Sequence, residues 1–528
     1  MTRSRGLGDV YKRQILDVAS KIHLKHSKLL IFAMTERSEL IELHNRLSKT
    51  LDEERVAAKD KRHVKGYRTA RENLDDLVDK DTFVEYGQLA VAAQKSRREV
   101  EDLRTETAAD GIITGFGKIN GDILDDSKAL SAIIINDYSV LAGTQGYYHH
   151  KKLDRICETA EKQKLPVIMY TEGGGGRPGD TDVHVQFAGL NIPSFSNWAK
   201  LRGKSIRIAV NNGYCFAGNA ALFGTADFCI STKNSWLGMA GPAMIEGGGL
   251  GKVEPKDIGP AEEQEKLGVI DYLAEDESDA TRFAKKLLSY FQGKINSWET
   301  KDQSILRNII PENRRMAYSV RDVIETIADN DSFLELRKIY GRSVITGFIR
   351  LEGKPVAIIA NDCQHLGGAV DATSAEKAGQ FITICNEHNL PILSLADTPG
   401  FMVGIDSERE GAVRKMGSLF NSGANISVPL VAVFLRKGYG LGAMAMVGGS
   451  FYIPVLTVSW PTGEFGGMGL EGAVKLGYKK ELEAVKDESA REELFNKLVQ
   501  KMYDSGKALE AATQLEIDAV IDPAETRS

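Results

Sequence analysis

Two halves of this chain answer each other across an offset of 225 residues. The offset carries Ala217-Gly218 onto Gly442-Ala443, Asn136-Asp137 onto Asn361-Asp362, Leu165-Pro166 onto Leu390-Pro391, and Gly175 onto Gly400. Ile113-Thr-Gly-Phe116 meets Ile345-Thr-Gly-Phe348 at an offset of 232, so the first half holds a small insertion. A repeat of this length is no solenoid unit. It has the size of an ordinary domain. The pattern therefore predicts an internal duplication, with one domain over 34–290 and a second over 291–528.

Each half carries the same kind of turn. Ile206–Val210 reads as a short buried strand, followed by Gly213-Tyr-Cys-Phe-Ala-Gly-Asn-Ala-Ala-Leu222. Pro429–Leu435 is its counterpart, followed by Gly438-Tyr-Gly-Leu-Gly-Ala-Met444. A strand that passes through small residues into a helix aims backbone N–H groups at one point. Such a point binds an anion, or an oxygen that becomes one. The plainer alternative is a tight turn whose glycines serve packing.

Alternating strand and helix patterns surround both turns. Ser131–Asp137 and Leu165–Thr171 read as strands and Lys151–Lys164 as a helix. The alternation predicts an α/β fold whose mostly parallel sheets place sites at strand C-terminal ends. Residues 34–105 are charged and read as surface helices, with Arg62–Arg71 either a solvated basic face or an attractor of phosphates. Residues 280–330 link the halves. The C-terminal Glu516–Pro523 stretch reads as a packing helix. Residues 1–33 have no signal-peptide form and are expected to be a non-native or disordered leader.

Composition narrows the function classes. Among 528 residues the net charge is −6, so no global basic field recruits nucleic acid. No apolar run approaches the length of a membrane span. The five cysteines lie far apart without a CxxC pair, which argues against a zinc ribbon or a disulfide scaffold and fits a cytoplasmic location. Glycine-rich loops follow the strands: Glu172-Gly-Gly-Gly-Gly-Arg177 in the first half and Asp397-Thr-Pro-Gly-Phe-Met402 in the second. A further glycine-rich run spans Ser235–Gly251, where a lid or cleft wall is expected. Glu246, Glu464 and Glu471 are the acid–base candidates, against a purely structural role in binding loop amides.

Several of these motifs, in this order, resemble the carboxyltransferase subunit of biotin-dependent acyl-CoA carboxylases. They are Gly213–Leu222, Gly238-Met-Ala-Gly-Pro-Ala-Met-Ile-Glu-Gly-Gly-Gly-Leu-Gly251, Ala396-Asp-Thr-Pro-Gly-Phe401 and Met468-Gly-Leu-Glu-Gly-Ala473. The resemblance runs from about Thr35 to the C-terminus. It implies two tandem crotonase-like (ClpP/crotonase) domains. It also implies active sites between the N-terminal half of one subunit and the C-terminal half of another, in a hexamer built as a trimer of dimers. Acyl-CoA would lie mainly on the first half and biotin mainly on the second. The two implied backbone oxyanion holes fall on Ala217-Gly218 and Gly442-Ala443; the family commonly has Gly-Gly at the first pair. Substrate contacts are expected at Gly173, Gly174, Gly175, Gly213, Phe216, Met239, Ala240, Thr398, Pro399 and Gly400. A pocket for a short acyl group is expected near Met444 and Ala445.

The implied chemistry uses no metal in this chain. Carboxybiotin releases CO2, its nitrogen takes the α-proton of the acyl thioester, and the enolate attacks CO2. Two oxygens become negative, and each has one amide pair. Ala443-Met-Ala-Met446 lacks the lysine of a biotin attachment site. A biotin carboxylase and a biotin carboxyl carrier are therefore the expected partners. Three alternatives stay open: a biotin-dependent acyl-CoA decarboxylase subunit, an enoyl-CoA hydratase or isomerase using Glu246, and a non-catalytic scaffold.

Overall fold

Runs of Val, Ile and Leu become the centre of two sheets in a computed structural model that describes residues 37–183 and 190–528. The expected leader at 1–33 lies outside the described residues. The chain divides into two units, one ending at Gly293 and one beginning at Lys294.

The first unit holds strands β1 (Val84–Glu85), β2 (Ile112–Lys118), β3 (Leu130–Asn136), β4 (Val167–Tyr170), β5 (Arg207–Asn211), β6 (Tyr214–Phe216), β7 (Phe228–Thr232), β8 (Trp236–Gly238) and β9 (Tyr272–Ala274). Its main sheet runs β1-β2-β3-β4-β5-β7-β9. The β1-β2-β3 edge is antiparallel, and every pairing from β3 to β9 is parallel. β3, β4, β5 and β7 are buried along their whole lengths. A parallel sheet covered on both faces favours such continuous apolar runs over alternation. The crossover between β3 and β4 is the helix Tyr147–Gln163, which buries His149, Leu153, Ile156, Cys157 and Ala160 along one stripe. Lys164 ends that helix in the left-handed conformation.

The second unit repeats the plan. Its strands are β10 (Leu334–Leu336), β11 (Val344–Leu351), β12 (Lys354–Asn361), β13 (Ile392–Thr398), β14 (Leu430–Tyr439), β15 (Leu456–Ser459), β16 (Glu464–Gly466) and β17 (Ala519–Val520). The order is β10-β11-β12-β13-β14-β15-β17, with β16 paired to β14. Again one edge is antiparallel and the pairings from β12 onward are parallel. The helix Ala372–Glu387 is the crossover between β12 and β13.

Local geometry recurs with the same spacing. Gln145 bridges Gly176 in the first unit, and Val370 bridges Phe401 in the second. Gly143 and Gly368 both hold positive φ; a Cβ on either would stand within 2.6 Å of the carbonyl oxygen of Glu172 or 2.3 Å of that of Asp397. Lys152 and Lys377 are buried on their crossover helices, and both donate to main-chain carbonyls.

One expectation from sequence changes. The C-terminal Glu516–Pro523 stretch is not a helix: Ala519–Val520 is the last strand of the second sheet. Its alternation of Ile517, Val520 and Ile521 with acids suits a short edge strand as well as a helix face, and β15 offers an open edge. The Ser235–Gly251 run forms β8 and the exposed helix Pro242–Gly247. Among the described residues no helix is long and apolar enough to cross a membrane.

Candidate active site

In the first unit, β6 ends at Phe216 and the helix Gly218–Gly224 starts two residues later. Ala217 joins them at φ 51° and ψ −119°. That region favours glycine, and a residue with a Cβ persists there only where its surroundings enforce it. Ala217 spends its own amide on the Gly238 carbonyl, at 3.0 Å. The first intrahelical bond runs from Ala221 to the Ala217 carbonyl, at 2.9 Å. Helix geometry then leaves the amides of Gly218, Asn219 and Ala220 without an acceptor in the helix. Gly218 is half-buried and so within reach of a ligand.

In the second unit, β14 ends at Tyr439 and the helix Gly440–Met446 follows at once. Gly440 has φ +60°. It shares the positive φ of Ala217, whereas the helix caps, Ala217 and Tyr439, stand 222 residues apart. Ala443 gives the first intrahelical bond, to Tyr439, and is buried. The amides of Leu441 and Gly442 remain outside the helical ladder.

The glycine loop after β4 is a support. Gly173 donates to Tyr214 at 2.7 Å, Gly174 to Ala142 at 3.0 Å, and Gly175 to the Asn219 side-chain oxygen at 3.0 Å. None of these three amides is open to an anion. A Cβ on Gly175 would lie 2.7 Å from the Ala217 Cβ, and one on Gly173 would lie 2.2 Å from the Asn219 Nδ2. The glycines are there because the loop runs against the turn. In the second unit Thr398 does the bracing, through Oγ1 to both the amide and the carbonyl of Gly400 at 3.1 Å. Gly442 packs so close that a Cβ would meet the carbonyl carbon of Gly400 at 2.4 Å.

A carboxylate lies beneath each turn, and each is neutralised. Glu172 receives both Nη atoms of Arg62, at 2.9 and 2.8 Å. Burial pushes its carboxyl up to about 7, and Arg62 pulls the other way. Asp397 is bound by Arg436, with Nη2 to Oδ2 at 2.9 Å, and by the Lys437 amide at 3.1 Å. Glu464 is buried against Arg314, and burial raises its carboxyl. The acid candidates at the surface are no closer to a catalytic role. Glu246 is exposed and faces Lys252 at 3.3 Å, and Glu471 pairs with Arg315 at 3.0 Å. Glu246 is not buried, which counts against the hydratase alternative.

Comparison with known proteins fixes the family. The model of the carboxyl transferase domain matches residues 61–528. The chain belongs to the carboxyl transferase domain family. The carboxyltransferase is 31% identical to the biotin-dependent acetyl-/propionyl-coenzyme A carboxylase beta5 subunit of Mycobacterium tuberculosis, over 93% of this chain and 91% of that one. It is 30% identical to the methylmalonyl-CoA carboxyltransferase 12S subunit of Propionibacterium freudenreichii subsp. shermanii, over 89% and 88%. Among solved structures, a single-chain, multi-domain long-chain acyl-CoA carboxylase superposes with a TM-score of 0.88 at 51% identity. That match covers 93% of this chain but 48% of the longer one, so the carboxyltransferase spans about half of it. A transcarboxylase 12S structure, described as a hexamer assembly with substrate bound, superposes at 0.81 with 28% identity over 94% and 95%.

The carboxyltransferase brings some expected contacts to its turns and leaves others aside. Phe216 and Gly213 are buried inside the first turn, and Gly213 lies against the Glu172 carboxylate. Ala445 is fully buried and offers no surface. Met239 is 73% exposed at the end of β8, with Ala240 half-buried beside it. Pro399 and Met444 are half-buried. Sequence reading missed the Arg62–Glu172 and Arg436–Asp397 pairs. Glu172 and Asp397 stand 225 residues apart, a signal that was available. Their arginines come from unrelated positions and carry no such mark. The basic Arg62–Arg71 segment is also accounted for: Arg62, Arg68 and Arg71 hold Glu172, Asp76 and Glu85.

Proposed function

We propose that this carboxyltransferase moves a carboxyl group between biotin on a carrier protein and the α carbon of an acyl-CoA, using main-chain donors at two turns. The carrying observation is the matched pair of turns. Each leaves two adjacent amides outside the helical ladder, Gly218-Asn219 in the first unit and Leu441-Gly442 in the second, with Gly218 and Leu441 the accessible members, while every carboxylate beneath them is held by an arginine. Amides of Ala217 and Ala443 are committed elsewhere, so the donors are these neighbours. Biotin, when bound, supplies the carboxyl group and a nitrogen that accepts the α-proton. One turn holds the thioester oxygen as charge gathers on it, and the other holds the ureido oxygen. A neutral ureido group suits a turn that presents amides and no free charge. One such donor is worth about 2.7–4 kcal/mol in acyl transfer. The preset backbone needs no reorganisation as charge develops.

The recurrent geometry supports a gene-duplicated chain of two crotonase-like domains, each contributing one turn, with the boundary in the link after the helix Glu277–Gln292. The names of the relatives support a hexamer that works in a biotin-dependent enzyme; a biotin carboxylase and a biotin carboxyl carrier are the partners such a chain needs. Decarboxylation of malonyl-CoA and methylmalonyl-CoA with free biotin tests the reading. Turnover that requires biotin is expected. Turnover independent of biotin, or none across a range of carboxyacyl-CoAs, rejects it.

A further inference from the structure

Gln145 is 4% exposed, and its Nε2 has no acceptor among the described residues. A buried donor left idle costs free energy, so an idle one calls for a reason. The backbone of Gln145 is held firmly. Its amide donates to the Gly175 carbonyl at 2.7 Å, and its carbonyl accepts from the Arg177 amide at 2.9 Å. These bonds fasten it to the glycine loop that braces the first turn. Its side-chain amide ends at Gly218, where a Cβ would stand 2.3 Å from Oε1 and 3.1 Å from Cδ. The idle amide therefore lies beside the half-buried residue whose N–H stays outside the helical ladder.

Asn219 makes the contrast. It is fully buried, and its Nδ2 has no acceptor either. Its Oδ1 takes the Gly175 amide at 3.0 Å, which fixes the side chain with Nδ2 against Gly173. The Gln145 amide is not fixed in this way, because its Oε1 has no donor among the described residues. Half a turn about its last bond exchanges oxygen and NH2 in the same space and breaks no hydrogen bond. One orientation sets lone pairs beside Gly218, and the other sets a second donor there. The second unit has nothing comparable. Gln145 bridges Gly176 and Val370 bridges Phe401, so a valine without donors holds the matching place.

We propose that Gln145 is a catalytic donor, whose side-chain NH2 turns to the oxygen held by Gly218 as that oxygen becomes negative. The proposal rests on the reading of the first turn as an oxyanion site. An anion there favours the donor orientation and repels the lone pairs of the other. A hydrogen bond to a charged group is worth about 10- to 100-fold. Turning the amide takes part of that, so the lower end is expected.

The test uses the full chain. Gln145→Leu keeps the bulk and removes the donor. In biotin-dependent decarboxylation its kcat should fall about tenfold, with KM within about twofold, as for a contact made only in the transition state. Gln145→Ala should lose as much. Gln145→Glu keeps the shape and offers only oxygens, so it should lose at least as much as the leucine variant. Unchanged kcat in the leucine or the glutamate variant overturns the proposal. A second arm needs no turnover. Infrared difference spectra are taken with propionyl-CoA carrying 13C in its thioester carbonyl, and with biotin carrying 13C in its ureido carbonyl. One of the two bands should shift to lower frequency on binding, and Gln145→Leu should return that band part-way while sparing the other. Neither band responding to Gln145→Leu, or both moving alike, overturns the proposal. A wild type that turns over with biotin while the variants match it loses only the Gln145 donor. A band that answers to Gln145→Leu in a protein without biotin-dependent turnover removes the transfer reading and leaves the donor.

Discussion

Gly218 shows how little room the candidate site allows. A Cβ there would stand 2.3 Å from the Gln145 side-chain oxygen and 3.2 Å from the Phe195 ring. Gln145 cannot give way easily, because its own amide and carbonyl are tied to Gly175 and Arg177. Gly218→Ala should therefore displace the turn while the fold survives. Loss of one aligned donor predicts a fall in kcat of about 100-fold. Gln145→Ala removes the obstructing oxygen, and the double variant should recover about tenfold of that loss in the same decarboxylation assay. An identical rate in Gly218→Ala and wild type would detach this amide from the chemistry.

Buried polar groups lock whole elements together, and two of them give readable predictions. His149 on the first crossover helix is buried, and its Nε2 donates to the Asn136 Oδ1 at 2.7 Å. Burial holds its pKa well below the ordinary 6.5, so the folded protein keeps it neutral. The unfolded chain takes up a proton below about 6.5 and the folded chain does not. Stability is therefore lost as the pH falls below that value, by about 1.4 kcal/mol per pH unit from this group. His149→Gln keeps a donor and removes the titration. Urea unfolding between pH 7 and 5 should show a shallower loss in the variant. In the second unit, Asp397→Asn leaves the Arg436 guanidinium buried without its counter-charge. That should cost about 3–5 kcal/mol, seen as a lower urea midpoint. A midpoint unchanged within about 0.5 kcal/mol would mean that the Arg314 and Met316 carbonyls alone satisfy the arginine.

At the scale of the whole molecule, the relatives argue for an assembly. A transcarboxylase 12S structure matches 94% of this chain and is described as a hexamer. Light scattering coupled to size exclusion should give six times the chain mass. A stable monomer with biotin-dependent turnover would show that one chain suffices for the site. The sequence by itself determined the α/β alternation and the family, and pointed to both strand-to-helix turns. These are written in residue identity: apolar runs, glycines at close approaches, and motifs in a fixed order. It could not place the donors. Glycine and alanine crowd both turns, so several registers look equally good on paper, and an amide's availability depends on what its neighbours accept. Only the tertiary structure decided that the Ala217 amide is spent on Gly238, that the Gly173–Gly175 amides are spent on Tyr214, Ala142 and Asn219, and that Glu172 and Asp397 are paired with arginines from unrelated positions. Hydrogen bonds are claimed by partners brought close in space, and the order of residues along the chain does not say which partner arrives first.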